Sequence, residues 1–164
     1  MNARKLTRLA LLTATALVLF VVEMLIPNPI PIPGIKLGLA NVVTVYAVYR
    51  FRAREAAMVV LARILLASIF GGNLVAFLFS LAGGVLCLTG MLLCKRIIDE
   101  KHLWIASVFG AVLHNLGQIA VAVWILGVSV LIYLPFLLVS GCLAGAFTGV
   151  CAQLVIKRFH DREP

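Results

Sequence analysis

Between Leu103 and Leu126 the chain carries no Asp, Glu, Lys or Arg. A run of that length supplies the ~20 apolar residues that an α-helix needs to cross the hydrocarbon of a bilayer. Hydrocarbon offers no water to complete backbone hydrogen bonds, so a segment inside it must satisfy its own and be helical. The rest of the chain obeys the same constraint. Of its 164 residues, 63% are hydrophobic and 12% charged, which is about half the charged share of a soluble domain. Mean hydropathy is +1.14. These features describe an all-α integral membrane protein, one compact domain over residues 1–164 without a separate soluble domain.

Six apolar runs predict six transmembrane helices, over 6–26, 37–49, 55–70, 74–94, 103–126 and 133–156. The second is short and spans about 20 Å at helical rise, so it starts below the surface or takes in residues from Gly34 onward. Positive charge marks alternate flanks. Arg4, Lys5 and Arg8 precede the first run; Arg50, Arg52 and Arg54 follow the second; Lys95, Arg96 and Lys101 follow the fourth; Lys157, Arg158 and Arg162 follow the sixth. The other three connections hold a single cation, Lys36. Lys and Arg collect on the cytoplasmic side, which predicts that the N and C termini are both cytoplasmic. Topology thereby accounts for the net charge of +8, and no nucleic-acid partner is expected. Met1 to Arg8 with the apolar run behind them resemble a signal peptide. That run continues to Ile26 without a small-x-small cleavage site, so it is expected to remain as the first helix. Cys87, Cys94, Cys142 and Cys151 lie in or beside apolar runs without C-x-x-C spacing, and read as buried thiols rather than metal ligands.

Polar residues inside these runs carry the functional information, because in hydrocarbon each needs a partner or water. His114, Asn115 and Gln118 lie in the motif G-A-V-L-H-N-L-G-Q. Their spacing puts them on one helical flank. Interhelical hydrogen bonding and the floor of a substrate site both fit that flank. Arg63 sits mid-run in the third segment, and Glu23 is its candidate ion-pair partner. Pro27, Pro29, Pro31 and Pro33 alternate in the first outer connection, which favours an extended, stiff strand: a rigid hairpin or a lid, followed at once by Lys36 and Asn41. By depth, Arg63 and His114 fall near mid-membrane; Glu23, Asn41, Asn73 and Gln118 fall in the outer half; Lys36 lies at the outer edge. Polarity concentrated toward the outside is the pattern of an outward-opening pocket. Two small-residue patterns remain. Ala10 and Ala14 allow close approach of another helix, and Gly141, Gly145 and Gly149 form a doubled G-x-x-x-G face for tight packing.

Three blocks carry a resemblance: P-I-P-G-I-K-L-G-L-A-N from Pro31 to Asn41, S-L-A-G-G from Ser80 to Gly84, and the Gly110 to Gln118 motif. Along nearly its whole length the chain resembles small bacterial membrane proteins called heptaprenyl diphosphate synthase component I, or the Gx transporter family. That family in turn resembles the substrate-binding S components of energy-coupling factor (ECF) transporters. The resemblance implies six helices, a cytoplasmic N-terminus, an outward pocket closed by the loop after helix one, and an alanine face on helix one that docks to a transmembrane coupling subunit. Ala10 and Ala14 match that face.

The expected function is therefore capture of a small, anionic solute from outside, in a bacterial cytoplasmic membrane, for ATP-driven uptake by partner subunits. Lys36, Asn41, Arg63, Asn73, His114, Asn115 and Gln118 would line the site. Lys36 and Arg63 would pair with a carboxylate or phosphate, and Glu23 would orient Arg63. The chain has no Walker A sequence, so it carries no nucleotide cofactor of its own and ATP would be hydrolysed by ATPase subunits. Catalysis by the chain itself is not expected. Prenyl elongation needs aspartate-rich magnesium sites, whereas Asp99, Glu100, Asp161 and Glu163 lie at cytoplasmic ends without a D-D-x-x-D pattern. The alternative function is an accessory subunit of prenyl diphosphate or quinone metabolism, with a sideways-opening pocket lined by Phe, Leu and Val. A purely structural subunit would instead pair Arg63 with Glu23 and leave no cavity.

Overall fold

The computed structural model describes residues 2–26, 37–71 and 74–160. Six α-helices follow one another: α1 (Ala3–Leu25), α2 (Leu39–Arg50), α3 (Ala53–Gly71), α4 (Leu74–Cys94), α5 (Leu103–Leu126) and α6 (Leu134–His160). Short 3-10 helices at Glu100–His102 and Val128–Tyr133 lead into α5 and α6. The described residues contain no strand. The connection after α5 is the second of these 3-10 helices. It is entered through Gly127 at φ 86, a left-handed conformation that glycine adopts without a Cβ penalty.

The helices close a ring in the order α1, α3, α4, α5, α6, α2, with α2 also touching α3 and α4. α2 is consequently buried on most sides, from Ala40 through Val43, Val45 and Val48 to Tyr49. Along α6, Gly141, Gly145 and Gly149 lie against α5. A Cβ on Gly145 would sit 2.7 Å from Val108 Cα, so the face serves close helix packing. One dry core joins Val45, Val48, Val60, Ile64, Cys87, Met91, Leu103, Ala106 and Ala152. These residues come from the C-terminal halves of α2, α4 and α6, the N-terminal half of α5, and the first two-thirds of α3. The core therefore fills the end of the bundle that carries the basic flanks.

The same end is tied by polar contacts. Lys5 Nζ meets Glu55 Oε1 at 2.5 Å, and Glu55 Oε2 accepts from the Arg52 amide at the start of α3. Lys95 Nζ donates to the carbonyls of Val48, Tyr49 and Phe51 at 2.6, 3.2 and 3.3 Å. It thus covers the orphan carbonyls and negative dipole end of α2. Gln153 Nε2 donates to the Lys101 carbonyl.

Elsewhere the surface is apolar. Leu11, Ile69, Leu74, Leu143 and Leu154 are exposed, and Trp124 is 79% exposed. Four helical stretches are long and apolar enough to cross a membrane: Ala3–Leu25, Leu74–Cys94, Glu100–Leu126 and Val128–Arg158. A multi-pass membrane protein in contact with lipid follows. The expected six crossings are met by this measure in four helices. The 12 residues of α2 rise only ~18 Å, and α3 carries Arg54, Glu55 and Arg63.

Candidate functional site

At the end of the bundle away from the basic flanks, the ring encloses a cavity of about 110 Å³. All six helices or their first residues contribute to its wall: α1 through Phe20 and Glu23, the start of α2 through Gly38 and Asn41, α3 through Arg63, α4 through Ser80, α5 through His114, Asn115 and Gln118, and α6 through Ser140 and Thr148. Its polar lining follows from membrane energetics. An amide or guanidinium facing lipid is costly, so the sequence turns each of them inward.

Glu23 does not pair with Arg63 among the described residues. Its carboxylate accepts from the amide of Gly38 at 2.5 Å and from that of Leu39 at 3.1 Å. Those amides begin α2, where orphan N–H groups and the positive dipole end attract an anion. Gly38 adopts φ 73, and this turns the chain into α2. Glu23 therefore joins the end of α1 to the start of α2. Arg63 is left without an ion pair among the described residues, and its Nε is buried without a hydrogen-bond partner.

On α5, Asn115 is buried and its Nδ2 donates to the Leu137 carbonyl of α6 at 2.5 Å. The His114 ring lies against Gly83 of α4, where a Cβ would come within 2.9 Å of the ring. Only a glycine there leaves His114 its place beside the cavity. Gln118 Oε1 is buried and has no hydrogen-bond partner. Asn41 Oδ1 faces the Cys87 thiol at 3.8 Å.

The structure thus gathers Asn41, Arg63, His114, Asn115 and Gln118, with Glu23, around one space. Lys36, Asn73 and the proline-rich connection lie outside the described residues. Ala10 and Ala14 are exposed on one face of α1, away from the cavity. Sequence reasoning missed Ser80, Ser140 and Thr148. Ser140 and Thr148 immediately precede Gly141 and Gly149, and this register on the G-x-x-x-G face was the available signal. Among the described residues no three His, Cys, Asp or Glu side chains converge as a metal site requires. Chemically, the wall offers one guanidinium, three side-chain amides, an imidazole and hydroxyls. That is a set for holding a polar solute by charge and directed hydrogen bonds.

Comparison with known proteins gives the lineage. The family model described as heptaprenyl diphosphate synthase component I matches residues 12–155. The chain belongs to the heptaprenyl diphosphate synthase component I family. The matched region contains every described residue named in the cavity wall, so the site lies within what the chain shares with this family. No curated protein and no solved structure matches the chain.

Proposed function

We propose that this chain is an S-component-like, solute-binding subunit of an ECF-type uptake system in a bacterial cytoplasmic membrane. It crosses the membrane six times with both termini in the cytoplasm. It receives a small anionic solute from outside and releases it inward by moving against a transmembrane coupling subunit driven by ATPase partners. It is a binding protein rather than an enzyme.

One observation carries this reading: a cavity walled by six helices in which Arg63 has no ion pair and its buried Nε has no hydrogen-bond partner among the described residues. A bundle in which these polar groups served packing alone would match Arg63 to Glu23, and Glu23 is engaged at α2 instead. Position supports the same reading. The N-terminal flank, the α2–α3 turn and Lys95 gather at one end, the end that the positive-inside rule assigns to the cytoplasm. The cavity lies toward the other end. The exposed Ala10 and Ala14 face leaves α1 open to close approach by a partner helix.

A second reading, an accessory subunit of prenyl diphosphate or quinone metabolism, is favoured by a specific feature. A groove of about 500 Å³ runs along the outer surface of α4 and α5, lined by Leu78, Leu81, Val85, Leu86, Val121 and Trp124. It is apolar and opens sideways, as a prenyl chain would need. The cavity at Arg63 suits the first reading better. Its volume of about 110 Å³ is below the ~300 Å³ at which drug-sized pockets begin, and its polar wall does not suit a hydrocarbon chain.

Native mass spectrometry of the purified protein separates the two. The expected result is a small polar adduct, lost in Arg63→Ala and in His114→Ala while both variants stay folded. A prenyl lipid adduct indifferent to both substitutions would establish the second reading in its place.

A further inference from the structure

The unmet hydrogen bonds of the cavity specify more than charge. Three buried side-chain atoms lack a partner among the described residues: Arg63 Nε, Gln118 Oε1 and Gln153 Oε1. The first two belong to residues that line the cavity, and they are opposite in kind. A guanidinium N–H only donates, and an amide oxygen only accepts. Each buried group left unmatched carries a desolvation penalty. A solute that answers both relieves two penalties; a simple anion relieves one and leaves Gln118 Oε1 as it was.

The rest of the wall is largely committed. The Glu23 carboxylate is held by the Gly38 and Leu39 amides. Asn115 Nδ2 is held by the Leu137 carbonyl, and Thr148 Oγ1 lies 3.1 Å from Ser107 Oγ. Arg63 is the one Lys or Arg in the described lining, and the Glu23 carboxylate of the same wall is already held at the start of α2, so a solute carboxylate is the natural counterpart of the Arg63 guanidinium. The space of about 110 Å³ between the helices suits a compact molecule.

We infer that the solute is a small hydroxy acid or amino acid with one carboxylate. Its carboxylate faces Arg63, and its own O–H or N–H donates to Gln118 Oε1. The inference rests on the proposal above that the cavity binds a solute, and narrows its substrate class. Gln118 becomes the residue that discriminates, because a site built to bond a donor rejects the analogue lacking it.

Matched probes test this on the full chain in detergent by isothermal titration calorimetry: lactate, alanine, propionate (anion without a donor) and lactamide (donor without an anion). Lactate or alanine is expected to bind at least about tenfold tighter than propionate or lactamide, the scale of one unmatched buried group. In Gln118→Met the preference for lactate over propionate should collapse to within about twofold, the coupling that a double-mutant cycle reads. Gln118→Glu provides a second handle. Its carboxylate should turn the preference toward the ammonium of alanine over the hydroxyl of lactate. Equal binding of propionate and lactate by the unaltered protein would overturn the inference and leave the anion-binding reading standing. A preference that persists in folded Gln118→Met would also overturn it. If none of the four binds to protein whose helicity is intact by circular dichroism, this inference falls, while a polar adduct in native mass spectrometry would still uphold the solute-binding reading.

Discussion

The two ends of this bundle are built from the same helices but treat polar groups differently. At the basic end, polar side chains serve the protein. Lys5 and Glu55 pair, Lys95 holds three carbonyls at the end of α2, and the spaces between helices are filled by Val45, Val60, Met91 and Leu103. Gln153 leaves one oxygen unmatched there, an isolated atom whose own amide nitrogen is bonded. At the cavity end the helices part around an open space, and a buried donor and a buried acceptor remain unmatched together. The difference teaches how to tell structural from binding polarity in a membrane bundle. Structural polar groups are satisfied within the chain. At the cavity, Arg63 Nε and Gln118 Oε1 are held by the fold and left without a partner among the described residues.

That contrast is broken or sharpened first by a pair of substitutions of similar shape. Lys95→Met should lower stability by about 2 kcal/mol, since it removes charged hydrogen bonds and uncovers helix-end carbonyls, and it should leave solute affinity unchanged. Arg63→Met should do the reverse. Replacing a cation without an ion pair among the described residues by an apolar side chain is neutral or stabilising, while the adduct is lost. Thermal denaturation of the two variants beside the unaltered protein checks both. A large loss of stability in Arg63→Met would make Arg63 a structural residue and erase the contrast.

Next in size is Glu23→Gln. The carboxylate sits at the dipole end of α2 and accepts from two of its first amides. A neutral amide keeps the shape, offers one acceptor and gives up the charge. Stability should fall by about 1 kcal/mol, while affinity for an anion does not fall, because a negative charge has left the wall. A drop in anion affinity would mean that Glu23 serves Arg63 after all.

How far the sequence foretold this division depends on the kind of signal. α4 and α5 begin and end where the apolar runs do, because the basic loop between them and Gly127 punctuate the chain sharply. α1, α3 and α6 extend past their apolar runs at the basic end, to Ala3, Ala53 and His160. Hydropathy registers only the part in hydrocarbon, whereas the helix continues for as long as its backbone bonds do. The cavity residues Asn41, Arg63, His114, Asn115 and Gln118 were legible because such groups cannot face lipid cheaply. Ser80, Ser140 and Thr148 were not, since a hydroxyl can bond a carbonyl of its own helix and so need not face inward. Ser140 and Thr148 do bond carbonyls three residues back. The partner of Glu23 was hidden for a related reason. Charge complementarity pointed to Arg63, but backbone amides at a helix start leave no mark in the side-chain pattern.

The smallest effect tests the basic end itself. Lys5 and Glu55 meet at 2.5 Å, with the Lys5 side chain 38% exposed. Water and salt screen a pair so placed. Its distance is short, but distance alone does not make a half-exposed pair strong, because holding the long Lys5 side chain in place offsets the attraction. Lys5→Met should therefore produce a slight fall in melting temperature at low ionic strength that vanishes near 1 M salt, where the screening length is ~3 Å. It should leave the adduct untouched. A large, salt-independent fall would show that this contact fixes α1 against α3, and that the basic end depends on its ion pair rather than on the core behind it.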